Sequence, residues 1–380
     1  MFSTKQEENK RKNFSVRKNI LIVVMSESGG GLERQALLLA KGLARSNNYN
    51  ILVATREGWI SRECKKNNIP FKSVERNFLK DIIFFIGILK SFSPWSSIIH
   101  TQGTLWSFVL AKILSRSKTY ILLNKQLGCG NKVSYNPFHL LLFSFVDKII
   151  GCSKFIAEEM IRVYHIPRRK VLYIWNSIEF DNYGKEKGKL RKEIGLSNEI
   201  KIVGSVARFD EEKGYDLFLD VAKQVSDKFP SVLFAVVGGG RLERYIKERT
   251  QQLGLNSKVM FLGYREDVCV LLADFDVFVL TSRAEPFGIV VLEAMASGVP
   301  VVVSNTGAFP EFVDDGENGF LCERRAQVFA DRIVKILAGN IDVEGMRSRA
   351  REKAKMFDIN LYIQKWDSLL YNLEARLDNR

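Results

Sequence analysis

The chain has 380 residues, more than one ordinary hydrophobic core covers, so two domains are expected. Hydrophobic residues make up 46% and charged residues 26%, an ordinary globular composition. The net charge of +14 is lopsided: residues 1–180 hold 28 Lys and Arg against 12 Asp and Glu, a balance of +16, while the remainder holds 29 against 31.

Residues 1–18 are polar and contain no apolar h-region, so they read as a flexible basic tail and not as a signal peptide. Strand-like runs follow at Ile20–Val24, Ile51–Ala54, Phe71–Val74, Ile98–Thr101, Tyr120–Leu123, Lys148–Cys152 and Val171–Trp175. Helical stretches stand between them at Arg34–Arg45, Lys80–Ser91, Leu105–Ser115, Phe138–Phe145 and Lys154–Tyr164. Such β–α alternation predicts a parallel sheet covered on both faces, here over residues 19–180. A Gly/Lys/Glu-rich stretch, 181–198, breaks the pattern and reads as a linker. The alternation resumes over 199–357, with strands at Ile200–Val206, Val232–Val237, Val259–Phe261, Val277–Leu280 and Pro300–Val303. Helices fall at Tyr215–Phe229, Arg241–Leu253 and Ile289–Ala296. Residues 358–380 form a terminal helix with Leu, Tyr and Trp at helical spacing.

The apolar runs Ile82–Leu89 and Phe138–Val146 are far shorter than the ~20 residues a membrane-spanning helix needs. Five scattered cysteines form no C-x-x-C pair, and the three histidines have no metal-ligand spacing. A disulfide framework and a zinc site are therefore not expected, and a reducing, cytoplasmic setting is. The basic first half would draw anionic lipid or another polyanion. Nucleic acid is not the expected partner, because no helix-turn-helix, zinc-finger or RNP pattern is present.

The chemistry-bearing motifs lie where strands give way to helices. Met25–Arg34 places Gly29, Gly30 and Gly31 ahead of a helix, where backbone can come close to a ligand. It lacks the G-x-G-x-x-G fingerprint of a dinucleotide site, and a plain tight turn competes with the ligand reading. Next comes Val203–Gly214, with Arg208 at a strand end and Lys213 five residues on. Two cations at that place suit a diphosphate, although ion pairing with Asp210, Glu211 and Glu212 would occupy them equally well. Gly238, Gly239 and Gly240 make another strand-to-helix turn. The most specific string is Glu285-Pro-Phe-Gly-Ile-Val-Val-Leu-Glu293, a loop opening into a helix at Gly288 and Ile289. Its helix N-terminus favours phosphate, with Glu285 in the loop and Glu293 in the second helical turn.

Together these strings resemble the E-x7-E signature and accompanying motifs of the retaining glycosyltransferases of family 4, from about Asn19 to the last helix. The resemblance implies an α/β GT-B fold, two facing Rossmann-like doubly wound domains with an interdomain cleft, and a terminal helix crossing back to the first domain. It implies a nucleotide-sugar donor and no cofactor. Arg208 and Lys213 inherit the diphosphate, Glu285 the transferred sugar and Glu293 the ribose hydroxyls. Phe287, Gly288 and Ile289 would form the helix start over the phosphates. Gly238 would lie in a structural turn, with Tyr264 and Arg265 beside the base. The acceptor side would fall to Gly29, Gly30, Gly31, His100, Gln102 and Asn176. Glu311 would cap local backbone.

Three departures bear on this. The family's His-x-His appears as His100-Thr101-Gln102, and Gln102 cannot act as acid or base. Its Pro-Asn-Gly turn appears as Asn176-Ser177-Ile178. Asp274-Phe275-Asp276 matches the D-x-D string of metal-dependent glycosyltransferases of another fold, but in a different context, so no metal is expected. The implied activity is metal-independent, retaining transfer from a UDP- or GDP-sugar to a glycan or lipid-linked acceptor. The implied setting is bacterial envelope polysaccharide or lipopolysaccharide assembly, peripheral at an anionic inner membrane face. Alternatives are another GT-B nucleotide-sugar enzyme, such as an epimerase, or an inactive GT-B partner subunit; retention of Arg208, Lys213 and both glutamates argues against the second.

Overall fold

A computed structural model describes residues 17–128, 137–185 and 187–375. Two compact units emerge. The first comprises residues 1–152, 157–174 and 363–380, and the second residues 153–156 and 175–362.

The first unit runs β1 (Lys18–Val24), α1 (Gly31–Ala44), β2 (Tyr49–Thr55), α2 (Trp59–Lys66), β3 (Phe71–Ser73), α3 (Phe78–Ser91), β4 (Ser96–Ile99), α4 (Leu105–Ser115), β5 (Tyr120–Lys125), α5 (Pro137–Ser144) and β6 (Lys148–Gly151). Helix α6 (Lys154–Tyr164) and β7 (Val171–Tyr173) complete its sheet. Seven parallel strands lie in the order β3-β2-β1-β4-β5-β6-β7. Residues 20–24 of β1 are all fully buried, as expected for a parallel strand covered on both faces. Asn77 caps α3 by accepting Leu79 and Lys80 N–H at 2.9 and 3.0 Å. The helix then buries Phe85, Ile88 and Leu89 at helical spacing.

The second unit runs α7 (Lys189–Glu193), β8 (Lys201–Val206), α8 (Tyr215–Lys228), β9 (Val232–Val237), α9 (Glu243–Gln252), β10 (Val259–Gly263), α10 (Val268–Leu272) and β11 (Val277–Leu280). It continues with α11 (Ile289–Ala296), β12 (Val301–Ser304), β13 (Phe320–Cys322), α12 (Ala326–Leu337) and α13 (Val343–Lys355). Its six parallel strands are ordered β10-β9-β8-β11-β12-β13. Phe209, Phe218, Phe234 and Phe329 fill its core, each contributing about 1.5–3 kcal/mol by leaving water. The last helix, α14 (Ile359–Ala375), enters the first unit at Ile363. There Tyr49 Oη donates to Asp367 at 2.6 Å, and Lys18 pairs with Glu374 at 2.5 Å.

The expected linker is not featureless. It carries a 3-10 turn at Phe180–Asn182 and α7, and both belong to the second unit. Helices α2, α7, α10, α12 and α13 and strand β13 were not anticipated, although α12 buries Phe329, Ala330, Ile333, Ile336 and Leu337 at helical spacing. In α13, by contrast, Met346, Ala350 and Ala354 alone are buried among charged neighbours. The predicted strand Ile98–Thr101 ends at Ile99, so His100 and Thr101 lie beyond it and Gln102 opens a 3-10 turn. Among the described residues, no helix is long and apolar enough to cross a membrane.

Candidate functional site

Each sheet reverses its winding once, between β1 and β4 in the first unit and between β8 and β11 in the second. Helices leave such a switch point on opposite sides, opening a crevice beyond the carboxyl ends of the two strands. The expected site residues cluster after those ends.

In the second unit, Arg208 follows β8 and leads to a 3-10 turn, Glu211–Lys213. Lys213 Nζ lies 2.7 Å from Glu285 Oε2, with side-chain exposures of 17% and 7%. Ser282 Oγ donates to the same oxygen at 3.3 Å. The loops after β8 and β11 are tied together by Thr281 Oγ1, which donates to the Gly214 carbonyl at 2.9 Å. Arg208 is 72% exposed and meets Asp210 only at 3.4 Å. Asp210 is shared with Arg241, which binds it at 2.8 Å. The competing ion-pair reading thus describes Arg241 well and Arg208 weakly, leaving the Arg208 guanidinium free to swing onto an anion.

Gly288 precedes α11 with φ +83°, and no side chain caps that helix. A Cβ at Gly288 would also lie 2.4 Å from the Phe309 ring, so the residue is required twice over. Val291 N–H donates to the Gly288 carbonyl at 2.9 Å, so the uncapped N–H groups at the start of α11 are those of Ile289 and Val290. The Phe287 side chain does not share that exposure. It is buried against Phe312 and Phe357, so only its backbone belongs to the helix start. Glu293 is buried in the second turn, where its Oε1 accepts Tyr183 Oη at 2.9 Å.

Gly238, at φ +140°, acts through backbone: a Cβ there would stand 2.0 Å from the carbonyl oxygen of Ala207, directly before Arg208. Tyr264 is 63% exposed beyond β10. Arg265 is less available than its sequence position implies. Its guanidinium is bidentate to Glu193, at 2.5 and 3.0 Å, and to Asp267, at 2.8 and 2.9 Å. Those hydrogen bonds raise its pKa and lower those of both carboxylates. Any ligand contact at Arg265 is therefore left to backbone.

Asn176 is buried and belongs to the second unit. Nearby Glu311 accepts Lys154 N, Phe155 N and Trp175 Nε1 at 2.9, 2.7 and 2.7 Å, so it caps backbone as expected, though backbone distant in sequence and not local. The D-x-D carboxylates are also engaged. Asp274 accepts backbone N–H groups of Gly188, Leu190 and Arg191 at the start of α7. Asp276 accepts from Arg191 at 2.9 Å and from Ile202 N at 2.8 Å.

In the first unit a cavity of about 630 Å³ opens where β1, β4 and β5 end, lined among others by Ser26, His100, Gln102, Asn124, Lys125 and Gln126. Gly29, Gly30 and Gly31 do not line it; the part of that loop that does is Ser26–Ser28. Gly29 lies against the Trp59 ring, and the buried carboxylate of Glu33, one helical turn on, accepts Ser28 Oγ at 3.0 Å. His100 is 2% exposed, and burial pushes its pKa down to about 3, so it is neutral near pH 7. Lys125 Nζ donates to Gln102 Oε1. One wall is braced by a buried bidentate pair, Arg56 to Asp81 at 2.6 and 2.7 Å.

Asn124, Gln126, Ser282 and Tyr183 were not anticipated, and Lys125, expected in a basic membrane-docking segment, is instead buried against Gln102. Asn124, Lys125 and Gln126 end a strand beside the switch point, which is the signal that points to them once strand order is known.

Comparison with known proteins agrees with this architecture. Residues 29–182 match the family model "Glycosyltransferase Family 4", and residues 186–356 match "Glycosyl transferases group 1". The N-acetyl-alpha-D-glucosaminyl L-malate synthase of Bacillus anthracis is 31% identical over 54% of this chain and 55% of its own length. The lipopolysaccharide core biosynthesis glycosyltransferase LpsE of Rhizobium meliloti is 31% identical over 57% of this chain and 60% of its own length. The chain thus spans little more than half the length of these curated relatives. Among solved structures, Anabaena HepE in complex with UDP and glucose superposes with a TM-score of 0.81 at 23% identity, covering 94% of this chain and all of HepE. Its architecture is accordingly GT-B, and the chain belongs to glycosyltransferase family 4.

Proposed function

We propose that the protein is a retaining glycosyltransferase that moves a sugar from a UDP- or GDP-sugar to a hydroxyl of a glycan or glycolipid. The setting we propose is assembly of envelope polysaccharide or lipopolysaccharide. The carrying observation is the Lys213–Glu285 pair together with the uncapped start of α11, with Arg208 directly after β8 in the loop that leads to Lys213. Two cations and a helix N-terminus form a site for a leaving diphosphate, beside a carboxylate that can hold sugar hydroxyls. HepE, with the same fold, has been crystallised with UDP-glucose.

In this mechanism the bond between the anomeric carbon and the diphosphate oxygen breaks, and its electron pair leaves with the diphosphate toward Arg208 and Lys213. The acceptor hydroxyl then bonds the anomeric carbon on that same face and gives its proton to the departing phosphate oxygen. Configuration is retained without an enzyme nucleophile. Glu285 orients the sugar and Glu293 the ribose. The cations and the helix start offset the diphosphate charge, so no metal is required for chemistry. Asp274 and Asp276 already serve the fold.

The protein works at the cytoplasmic face of an anionic membrane, engaging it through the first unit. In support, α3 and α4 pack together and expose Leu79, Ile83, Ile113 and Leu114 beside Lys80, Lys90, Arg116 and Lys118. That combination suits an interfacial surface.

A melting panel of UDP- and GDP-sugars tests the donor, because a ligand that binds the folded state alone raises Tm. Anomeric analysis of the product formed with the stabilising donor tests the stereochemistry. No stabilisation by any nucleotide sugar, or an inverted product, would overturn the reading.

A further inference from the structure

His100 presents a chemical puzzle. It is buried and neutral on the wall of the first-unit cavity, and its Nε2 meets no partner among the described residues. A buried imidazole nitrogen without a partner loses free energy unless something reaches it. What can reach it depends on which ring nitrogen carries the single proton, and the neighbours bear on that choice.

The neighbours form a chain. Gln126 Nε2 donates to Asn124 Oδ1 at 3.1 Å, which turns the Asn124 amide nitrogen toward His100. Asn124 Nδ2 then stands 3.5 Å from His100 Nδ1, a long contact but one in which the amide has only hydrogens to offer. With the amides in this orientation, Nδ1 would present its lone pair to Asn124 and Nε2 would carry the proton. Gln102 is set in a parallel way: Lys125 Nζ holds its Oε1, and the Gln102 amide nitrogen is left without a partner among the described residues.

We infer that Gln126 and Asn124 are positioning residues that lock His100 as the Nε2–H tautomer. His100 and the Gln102 amide thereby become a pair of neutral donors to oxygen atoms of a ligand in the cavity. That wall donates and does not abstract a proton. A ligand chemistry of sugar oxygens acting as acceptors fits it, and the inference rests, for its ligand, on the reading that the cavity receives a sugar. It concerns Asn124 and Gln126, neither of which stood out in the sequence.

The test reads the tautomer itself. Long-range proton–nitrogen correlation on histidine-labelled full-length protein at pH 7, with the His100 signals identified by their loss in His100→Gln, distinguishes the two tautomers without any substrate. We expect Nε2–H in the wild type. Gln126→Glu replaces the donor with an acceptor, so Asn124 must turn its oxygen toward His100 and the tautomer must switch to Nδ1–H. Asn124→Asp should force the same switch directly, so either variant suffices if the other does not fold. A merely structural role would not move the proton between ring nitrogens. Turnover is the second arm. The switched variants should lose about tenfold in kcat/KM for the acceptor, the size of one well-placed hydrogen bond, while donor-induced stabilisation is unchanged. An Nδ1–H tautomer in the wild type, an unswitched tautomer in both variants, or unaltered acceptor kinetics would overturn the inference. Failure of every nucleotide sugar to support turnover would instead sink the proposed function and leave the tautomer result standing.

Discussion

Lys213 and Glu285, 72 positions apart, meet as an ion pair of 2.7 Å beyond β8 and β11. Each is largely withdrawn from water, so each limits what the other can do. Under the proposed function, an incoming diphosphate would share Lys213 with a carboxylate it repels, and would gain most if Glu285 then turned to sugar hydroxyls.

This coupling makes the pair non-additive. Lys213→Ala and Arg208→Ala are each expected to raise the barrier by about 3 kcal/mol, the usual loss when a charge positioned on a leaving group is removed. Nucleoside binding should weaken far less. The double variant Lys213→Ala/Glu285→Gln should be less impaired than the two single losses combined, because removing one partner already leaves the other misplaced. Turnover within a few-fold of wild type in both single variants would exclude these cations from the mechanism.

Transfer should persist in excess chelator. Asp276→Asn should act on stability alone, since Asp276 holds Arg191 and the Ile202 amide. Activity abolished by chelator, restored by manganese and missing in Asp276→Asn would give the D-x-D string a metal role.

Asp274→Ala should lower stability by about 1–2 kcal/mol, because it strips the start of α7 of its acceptor. A denaturant midpoint unmoved by this change would mean that the cap contributes nothing.

His100 predicts a pH dependence with a definite sign. Its folded pKa, about 3, lies below its ordinary value of 6.5, so the unfolded chain binds the extra proton first as pH falls. Stability associated with neutral His100 is complete above about pH 6.5 and is lost progressively toward pH 3. His100→Gln should show a shallower loss across that window than the wild type. Parallel stability–pH curves would contradict the buried neutral state.

Anionic vesicles should bind the protein more strongly than neutral ones. Neutralising Lys80 or Arg116 to Gln should cost about 1 kcal/mol each at low salt. Leu79→Ser with Ile83→Ser should weaken binding in a salt-insensitive way. Equal partition to neutral and anionic vesicles would remove the membrane from the proposal.

Much of the architecture was legible because parallel strands buried on both faces are written as unbroken apolar runs, such as Leu21–Val24 and Val301–Val303. The local arrangement of the Glu285–Glu293 string was legible because Glu285, Gly288 and Glu293 lie within nine residues, so one loop and one helix hold them all. Tyr183 was not, since its contact with Glu293 spans 110 positions. Asn124 and Gln126 look like ordinary strand-end polar residues until strand order places them beside His100. At Phe287 and Arg265 the motif position tells where the backbone runs, while burial and nearby carboxylates decide where the side chain goes.

The last helix has a consequence for biosynthesis. The first unit is discontinuous in sequence, and Trp366 and Leu370, both fully covered, reach it only after residue 362. Gly42 on α1 lies so close to Ile363 that a methyl group there would meet it at 2.2 Å. On the ribosome, then, residues 17–174 emerge as a sheet with an uncovered seam and wait while 188 intervening residues, enough for the whole second unit, are translated. The earliest-made half of the protein is the last to be finished.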